Sequence, residues 1–446
     1  MNEAEDPELF GKIHNSSRGA HSSEPIILAM GVGGGGGNAI NYMCNQGVKG
    51  VEFIVLNTDE QALRESPVPN RLLLGPKICN GRGAGGRPEI GRAAGEESVP
   101  EIEALLDGMV DMVFVTAGMG GGTGTGAAPV VARVAKGKNI LTVGIVTIPF
   151  FFEGTKKISS ALDGAHELQQ NVDAMLVINN DRLSAIYPDM EWALAFEKAD
   201  DILATAARSI SDMVTTPGMI NIDMRDVDST LRNGRTALIS VGYGEGENRM
   251  STAISGALHS PLLCDTDILS ARSLLFAFYY SHDIDPPYKV SESSEINRLI
   301  AEMNKRVEVI FGWGYDDTLG NKIKFTILAS GFDVSLQSAG SNESHGVIEG
   351  VAETTGSSST IDNRIIDAYG KDKVDDLIRI QETQNYYILK PDQLDSDDAI
   401  DMVERNPAFK RDKRKLAAAK TEPETRHQDE RSQNNSNQIT FSPDDR

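Results

Sequence analysis

The stretch Gly118-Met119-Gly120-Gly121-Gly122-Thr123-Gly124-Thr125-Gly126 decides the reading of this chain. It follows a short apolar run, Met112 to Thr116 (MVFVT), and opens a helical segment, Ala127 to Val134. A glycine-rich turn from strand to helix lets backbone N–H groups approach an anion with no Cβ in the way. A side chain at Gly122 is expected to block that approach. Upstream, Gly31-Val32-Gly33-Gly34-Gly35-Gly36-Gly37-Asn38 stands in the same context, after Ile26 to Met30 and before a helix from about Ala39. Gly31, Gly33 and Gly36 also fit a dinucleotide fingerprint with Asp59 beyond the second strand, a weak match on its own; a tight turn without a ligand is the plain alternative. Two such loops at the ends of two parallel strands would hold one polyphosphate from both sides, whereas a dinucleotide enzyme needs only one. A third stretch, Gly81-Arg82-Gly83-Ala84-Gly85-Gly86-Arg87-Pro88, offers further N–H donors to a terminal phosphate. No Gly-Lys-Ser/Thr triplet occurs, which excludes a conventional P-loop.

Around these loops the pattern is that of an α/β protein. Val51 to Leu56 (VEFIVL), Ile140 to Ile148 (ILTVGIVTI) and Ala174 to Ile178 (AMLVI) are continuous apolar runs, each followed by a polar or glycine loop. Helical segments such as Pro100 to Leu106 and Lys157 to Leu168 lie between them. Strands buried on both faces and alternating with helices imply a parallel sheet, with ligands at the carboxyl ends of the strands. From Asp200 the spacing of Leu203, Ala206, Ile210 and Met213 predicts a helix stopped by Pro217-Gly218. A second α/β block over 235–332 follows, with strands expected at Ala237 to Val241, Arg306 to Gly312 and Lys322 to Ala329. The expected organisation is a disordered arm over 1–24, a first domain over 25–199, and a joining helix and loop over 200–234. The second domain occupies 235–332, a flexible linker 333–395, a short peptide element 396–416 and a disordered tail 417–446.

Composition narrows the function classes. The chain has 446 residues, with 43 Lys and Arg against 65 Asp and Glu and a net charge of −22. So acidic a chain is repelled by phosphate backbones, which argues against nucleic acid as a partner. Three cysteines, Cys44, Cys79 and Cys264, make no disulfide framework and show no metal-ligand spacing, so no protein-held metal is expected. The start, MNEAEDPELF, lacks the basic and apolar regions of a signal peptide, and Ile140 to Phe152 is about half a membrane span. The expectation is a cytoplasmic protein without direct membrane insertion.

The segment GGGTGTG at 120–126 carries the tubulin-family signature, and the flanking pieces sharpen it. GVGGGGGNAI, NTDEQAL at 57–63, GAGG at 83–86, VTIPFFFEG at 146–154, NND at 179–181 and PGMINIDMRDV at 217–227 resemble the FtsZ family, the bacterial tubulin-like division GTPases. The resemblance covers about residues 25 to 332. It implies a Rossmann-like parallel-sheet GTPase domain joined by a core helix to a second α/β domain. It also implies that Gly34, Gly35, Gly36, Gly37 and Asn38 hold the phosphates of GTP or GDP. Gly120, Gly121, Gly122, Thr123 and Gly124 would face them from the other loop, with Thr58 nearby. Glu153 stands as the ribose contact, with Lys157 after it, and Asn180, Phe196 and Asp201 as the guanine pocket. Read without the resemblance, Phe196 is also compatible with plain core, and Asp201 with a first-turn partner of the helix dipole.

The resemblance makes Asn221, Asp223 and Asp226 the catalytic loop that reaches the nucleotide of a neighbouring subunit, with Mg2+ accompanying the nucleotide. In isolation the two aspartates read as caps of a helix start. The family's Asn-x-Asp-Phe-Ala-Asp is here Asn221-Ile222-Asp223-Met224-Arg225-Asp226, so the polar trio stands while Arg225 puts a cation among the carboxylates. Lys157 replaces an arginine, and Arg82 and Arg87 stand where apolar or small polar residues are familiar. The tail segment Asn406-Pro407-Ala408-Phe409-Lys410-Arg411 resembles the peptide by which this family docks membrane tethers and regulators; a linker over 333–395 would span ~45 Å if flexible. The expected protein is a head-to-tail polymerising GTPase at the midcell division site. A nicotinamide enzyme and a non-hydrolysing structural homologue are the rival readings.

Overall fold

The computed structural model describes residues 27–332, apart from Met109, Pro188, 259–270 and 303–306, together with residues 363–375. The expected arm 1–24, the peptide 396–416 and the tail 417–446 lie outside the described residues. Of the expected linker, only 363–375 lies within them. Residues up to Gly370 belong to one compact unit, and residues 371–375 to a second.

Eleven strands are described: Ile27–Val32 (β1), Val51–Asn57 (β2), Asn70–Leu73 (β3), Met112–Gly118 (β4), Leu141–Ile148 (β5), Ala174–Asn179 (β6), Gly218–Ile220 (β7), Arg235–Glu245 (β8), Ser273–Tyr280 (β9), Glu308–Tyr315 (β10) and Lys322–Ser330 (β11). They form one sheet in the order β3-β2-β1-β4-β5-β6-β8-β11-β9-β10-β7. From β3 to β6 every pairing is parallel. All residues of β1 and β5 are buried, as expected of strands covered on both faces. The helices are Gly33–Asn45 (α1), Glu60–Glu65 (α2), Pro76–Cys79 (α3), Pro88–Glu97 (α4), Val99–Leu105 (α5), Thr123–Gly137 (α6), Thr155–Asn171 (α7), Asn180–Ile186 (α8), Trp192–Thr215 (α9), Met224–Leu231 (α10), Arg249–Leu258 (α11), Ser294–Glu302 (α12) and Asn363–Tyr369 (α13).

The two α/β blocks meet through a narrow seam and a long helix. The seam is the parallel pairing of β6 with β8 at Ala174↔Arg235 and Met175↔Thr236. The helix is α9, whose buried side runs Ala195, Ala199, Ile202, Ala206, Ile210 and Met213, the 3-4 spacing of a core-facing stripe. One apolar cluster contains this stripe from Ala199 to Met213, residues of the first-domain strands and, from the second block, Ile239, Leu275, Ala277, Tyr279 and Leu328. A separate cluster lies between the second block's strands and α11 and α12. On the charged side, Lys324 of β11 reaches Asp212 of α9 at 2.8 Å.

Two expectations change. The joining helix begins at Trp192, not at Asp200, because the small residues Ala195 and Ala199 carry the buried stripe through the charged run Glu197 to Asp201. Phe196 and Asp201 therefore both stand on α9. Within the span expected to be linker, α13 is an ordered helix against the first domain, with Ile365 and Tyr369 buried.

Candidate functional site

The site is built from two helix starts that touch. Neither α1 nor α6 has a side-chain cap or an acidic residue in its first turn, so both present backbone N–H groups and the positive end of the helix dipole. They can approach because the facing residues are glycines. A Cβ on Gly33 would stand 2.7 Å from the Gly124 nitrogen, one on Gly35 3.0 Å from the Gly118 Cα, and one on Gly36 2.2 Å from the Thr116 carbonyl oxygen. Gly34 and Gly121 differ: a Cβ there would meet no protein atom within 4 Å. Asn38 is exposed on the second turn of α1. Backbone packing therefore explains some of these glycines, and open space lies beside the others.

The third glycine stretch closes against the second. A Cβ on Gly122 would lie 2.8 Å from the Ala84 Cβ and 2.9 Å from the Arg87 nitrogen. A side chain at Gly122 is thus blocked first by the 83–87 loop, a different cause from the expected obstruction of a phosphate. Thr58 and Thr123 share a buried hydrogen bond of 2.6 Å between their hydroxyl oxygens, and the Thr125 hydroxyl accepts the Gly120 N–H at 2.8 Å. Arg82 and Arg87 are exposed on this loop.

A second set of side chains gathers beyond β5 and β6. Glu153 accepts the Phe150 N–H at 2.8 Å with one oxygen and pairs with Lys157, one helical turn on, with the other. Lys157 also packs on Gly120. Asn180 is buried, and its Oδ1 has no hydrogen-bond partner in the protein, an acceptor left for a donor from elsewhere. Phe196 is 45% exposed and meets the buried Phe150 ring edge-on at 5.0 Å, which leaves an aromatic face open and excludes the plain-core reading. Asp201 lies well beyond the first turn of α9, so it is no partner of that helix's dipole. It accepts from the Tyr42 hydroxyl at 3.2 Å and pairs with Lys198 at 2.7 Å. That pairing raises the Lys198 pKa, while burial and then the Asp201 charge raise that of the Tyr42 phenol.

Asn221, Asp223 and Asp226 lie elsewhere. Asn221 accepts the Gly218 N–H at 2.7 Å. Asp223 caps α10 by accepting the N–H groups of Arg225 and Asp226, and Asp226 accepts the Asp223 N–H at 2.9 Å in return. The capping reading is therefore met. The trio follows the C-terminal end of α9, and the helix from Asp201 to Thr215 alone spans ~21 Å. The structure brings the glycine loops, Thr58, Glu153, Lys157, Asn180, Phe196 and Asp201 to one end of the molecule; the trio is a helix length away.

Sequence comparisons identify the two α/β blocks. Residues 26–188 match the GTPase domain of the Tubulin/FtsZ family, and residues 235–333 the C-terminal domain of the FtsZ family. A further FtsZ C-terminal pattern matches 381–426. The cell division protein FtsZ of Porphyromonas gingivalis is 46% identical over 392 residues, covering 86% of this chain and 85% of that one. The chain belongs to the FtsZ family. As an FtsZ-family protein it is a tubulin-like cell-division GTPase that binds guanine nucleotide. Among solved structures, an empty FtsZ dimer from M. jannaschii superposes with a TM-score of 0.64 at 36% identity, covering 71% of this chain and 90% of that one. A GTPγS-bound CetZ2 protofilament from Haloferax volcanii, at 22% identity, shares the fold with a TM-score of 0.59, covering 70% and 94%.

Sequence reasoning missed several residues beside this candidate site. Lys198 was readable, since it stands three residues before Asp201 on one helix face. Tyr42 was not, being 159 residues from its partner. Phe152 is 57% exposed and stacks on Phe150 at 5.3 Å. Asp200 is pushed up to about 7 by burial, which no local pattern announces, and then by the charge of Glu197, three residues before it on the same helix.

Proposed function

We propose that this GTPase binds GTP across the two uncapped helix starts and polymerises head to tail, each subunit completing its neighbour's active site. The observation that carries this reading is the separation of the glycine cradle from the carboxylate trio by the length of α9. In this reading Gly34, Gly35, Gly36, Gly37, Asn38, Thr58, Gly120, Gly121, Gly122, Thr123 and Gly124 surround the phosphates. Glu153 and Lys157 flank the ribose, and Asn180, Phe196 and Asp201 receive the base. The orphaned Asn180 oxygen and the open space at Gly34 and Gly121 fit such a ligand. Asn221, Asp223 and Asp226 of the next subunit would orient the attacking water in line with the γ-phosphate. Mg2+ would neutralise charge on the phosphates. No cluster of three or more His, Cys, Asp or Glu fit to hold a metal occurs among the described residues, so nucleotide oxygens would supply most of its ligands.

A contact between unlike ends does not close, so it yields filaments. The filaments would form the division ring at midcell, with the 396–416 peptide recruiting membrane-tethering and regulatory proteins. No helix of the described residues is long and apolar enough to cross a membrane. The test is GTPase rate per subunit across about a hundredfold dilution, which must rise steeply above a threshold concentration if the site is shared. A flat specific activity would overturn the shared site.

A further inference from the structure

Helix α13 is docked on the first domain although its surroundings read as linker. Ile365 and Tyr369, four residues apart and so on one helix face, are 3% and 7% exposed. The Tyr369 hydroxyl donates to the Pro149 carbonyl at 2.6 Å, and its ring lies 5.5 Å from that of Phe151. The Asn179 side-chain amide donates to the Ala368 carbonyl at 2.8 Å. Arg364 pairs with Asp163 of α7 at 2.9 Å, an exposed ion pair that adds little. Gly370, at φ +87°, closes the helix with its N–H on the Ile366 carbonyl.

These contacts fall on the two loops that form the base side of the nucleotide pocket. Pro149 precedes Phe150, whose ring supports Phe196 and whose N–H is held by Glu153. Asn179 precedes Asn180, whose buried oxygen is orphaned. Asn179 also accepts the Asp181 N–H at 2.9 Å and so sets the first turn of α8. One side chain thus ties the Ala368 carbonyl to the turn that presents Asn180. Residues 333–362 intervene between the second domain and α13. Their extended reach of ~100 Å is ample for docking within the same chain.

We propose that residues 363–369 act as a strap, docking in cis on α7 and on the loops after β5 and β6. By holding Pro149 and Asn179 in place, the strap strengthens nucleotide binding. The proposal rests on the reading of the pocket as the GTP site. Linkage makes it reciprocal: whatever the strap adds to nucleotide affinity, bound nucleotide adds to strap docking.

The experiment uses full-length chains carrying Ile365→Asp or Tyr369→Ala, verified as folded by thermal melts. They are titrated as dilute monomers with a fluorescent GDP analogue. Affinity should fall by at least about fivefold, the low end of coupling between sites. Tyr369→Phe, which keeps the ring and loses the hydroxyl, should fall between these and the wild type. In the reciprocal arm, amides of residues 366–370 in the wild type should exchange hydrogen more slowly with GDP present. Equal affinities together with nucleotide-independent exchange overturn the strap. A shift that grows with protein concentration places the helix on a neighbouring copy and overturns docking in cis. A wild type that binds no guanine nucleotide overturns the pocket reading instead.

Discussion

Thr58 and Thr123 stand with their hydroxyl oxygens 2.6 Å apart, both buried, one just past β2 and the other opening α6. The bond fastens the loop that leads into α2 to the second glycine cluster. Thr58→Val keeps the shape and removes one partner, leaving a buried hydroxyl unsatisfied at a cost of ~1–3 kcal/mol. The melting temperature should drop and nucleotide affinity should weaken with it. A variant matching the wild type in both thermal unfolding and nucleotide titration would show that the bond is idle.

The glycines divide into two experimental classes. Gly36→Ala puts a Cβ 2.2 Å from the Thr116 carbonyl oxygen and should destabilise the fold by a few kcal/mol, in the range of overpacked cores. Gly34→Ala meets no protein atom within 4 Å and should leave stability within about 1 kcal/mol, since alanine favours a helix. It should nevertheless weaken GTP binding, because the added methyl occupies the space beside the phosphates. Urea unfolding and nucleotide titration of the two variants separate the classes, and normal GTP binding by folded Gly34→Ala would move the phosphates elsewhere.

Asp223 has a structural duty and a proposed chemical one, and two substitutions tell them apart. Asparagine caps a helix as well as aspartate does, whereas alanine loses the cap at ~1 kcal/mol. Stability should therefore fall with Asp223→Ala and much less with Asp223→Asn. GTP turnover above the assembly threshold should collapse with both, because the negative carboxylate is gone in each. Wild-type turnover by Asp223→Asn would confine the residue to capping.

Asp200 gives the stability a pH dependence. Its carboxyl is pushed up to about 7 in the folded chain, by burial first and then by Glu197, and returns to the ordinary carboxylate range on unfolding. The folded state thus binds the proton more tightly. The stabilisation is fully present below the unfolded value, declines as pH rises between the two values, and is lost once pH passes the folded one. One proton corresponds to a slope of at most about 1.4 kcal/mol per pH unit. Asp200→Asn should flatten that window relative to the wild type and be the more stable chain at pH 8. Parallel stability–pH curves for the two dilute, nucleotide-free chains would refute the assignment.

What the sequence disclosed follows from which signals are local. VEFIVL and ILTVGIVTI read as strands because they are rich in β-branched and apolar residues without polar alternation, and they became β2, buried from Ile54 on, and β5, buried throughout. Both glycine clusters stand at a strand-to-helix junction, although the helices start earlier than expected, α1 at Gly33 rather than Ala39 and α6 at Thr123 rather than Ala127. Ser273–Tyr280 went unread, since the unbroken apolar run from Leu274 to Tyr280 suits a buried helix as well as a strand. β3 and β7 are so short that only their partner strands define them. The start of α9 was obscured by its charges, while the alanines that continue its stripe look unremarkable one at a time. For α13 the signal was present: Ile365, Ala368 and Tyr369 at 3-4 spacing, then Gly370. The polar composition around it drowned that signal. Contacts such as Tyr42 with Asp201 have no sequence signature at all.

The length of α9 has a consequence for stoichiometry. On the proposed reading, a filament always contains one fewer complete catalytic site than it has subunits, because the terminal pocket lacks a neighbour's carboxylates. A dimer would work at half the activity per subunit of an endless filament, and a trimer at two thirds. The last nucleotide at that end would outlive the others and mark the end chemically, so a filament of identical subunits would carry a direction written in its bound GTP.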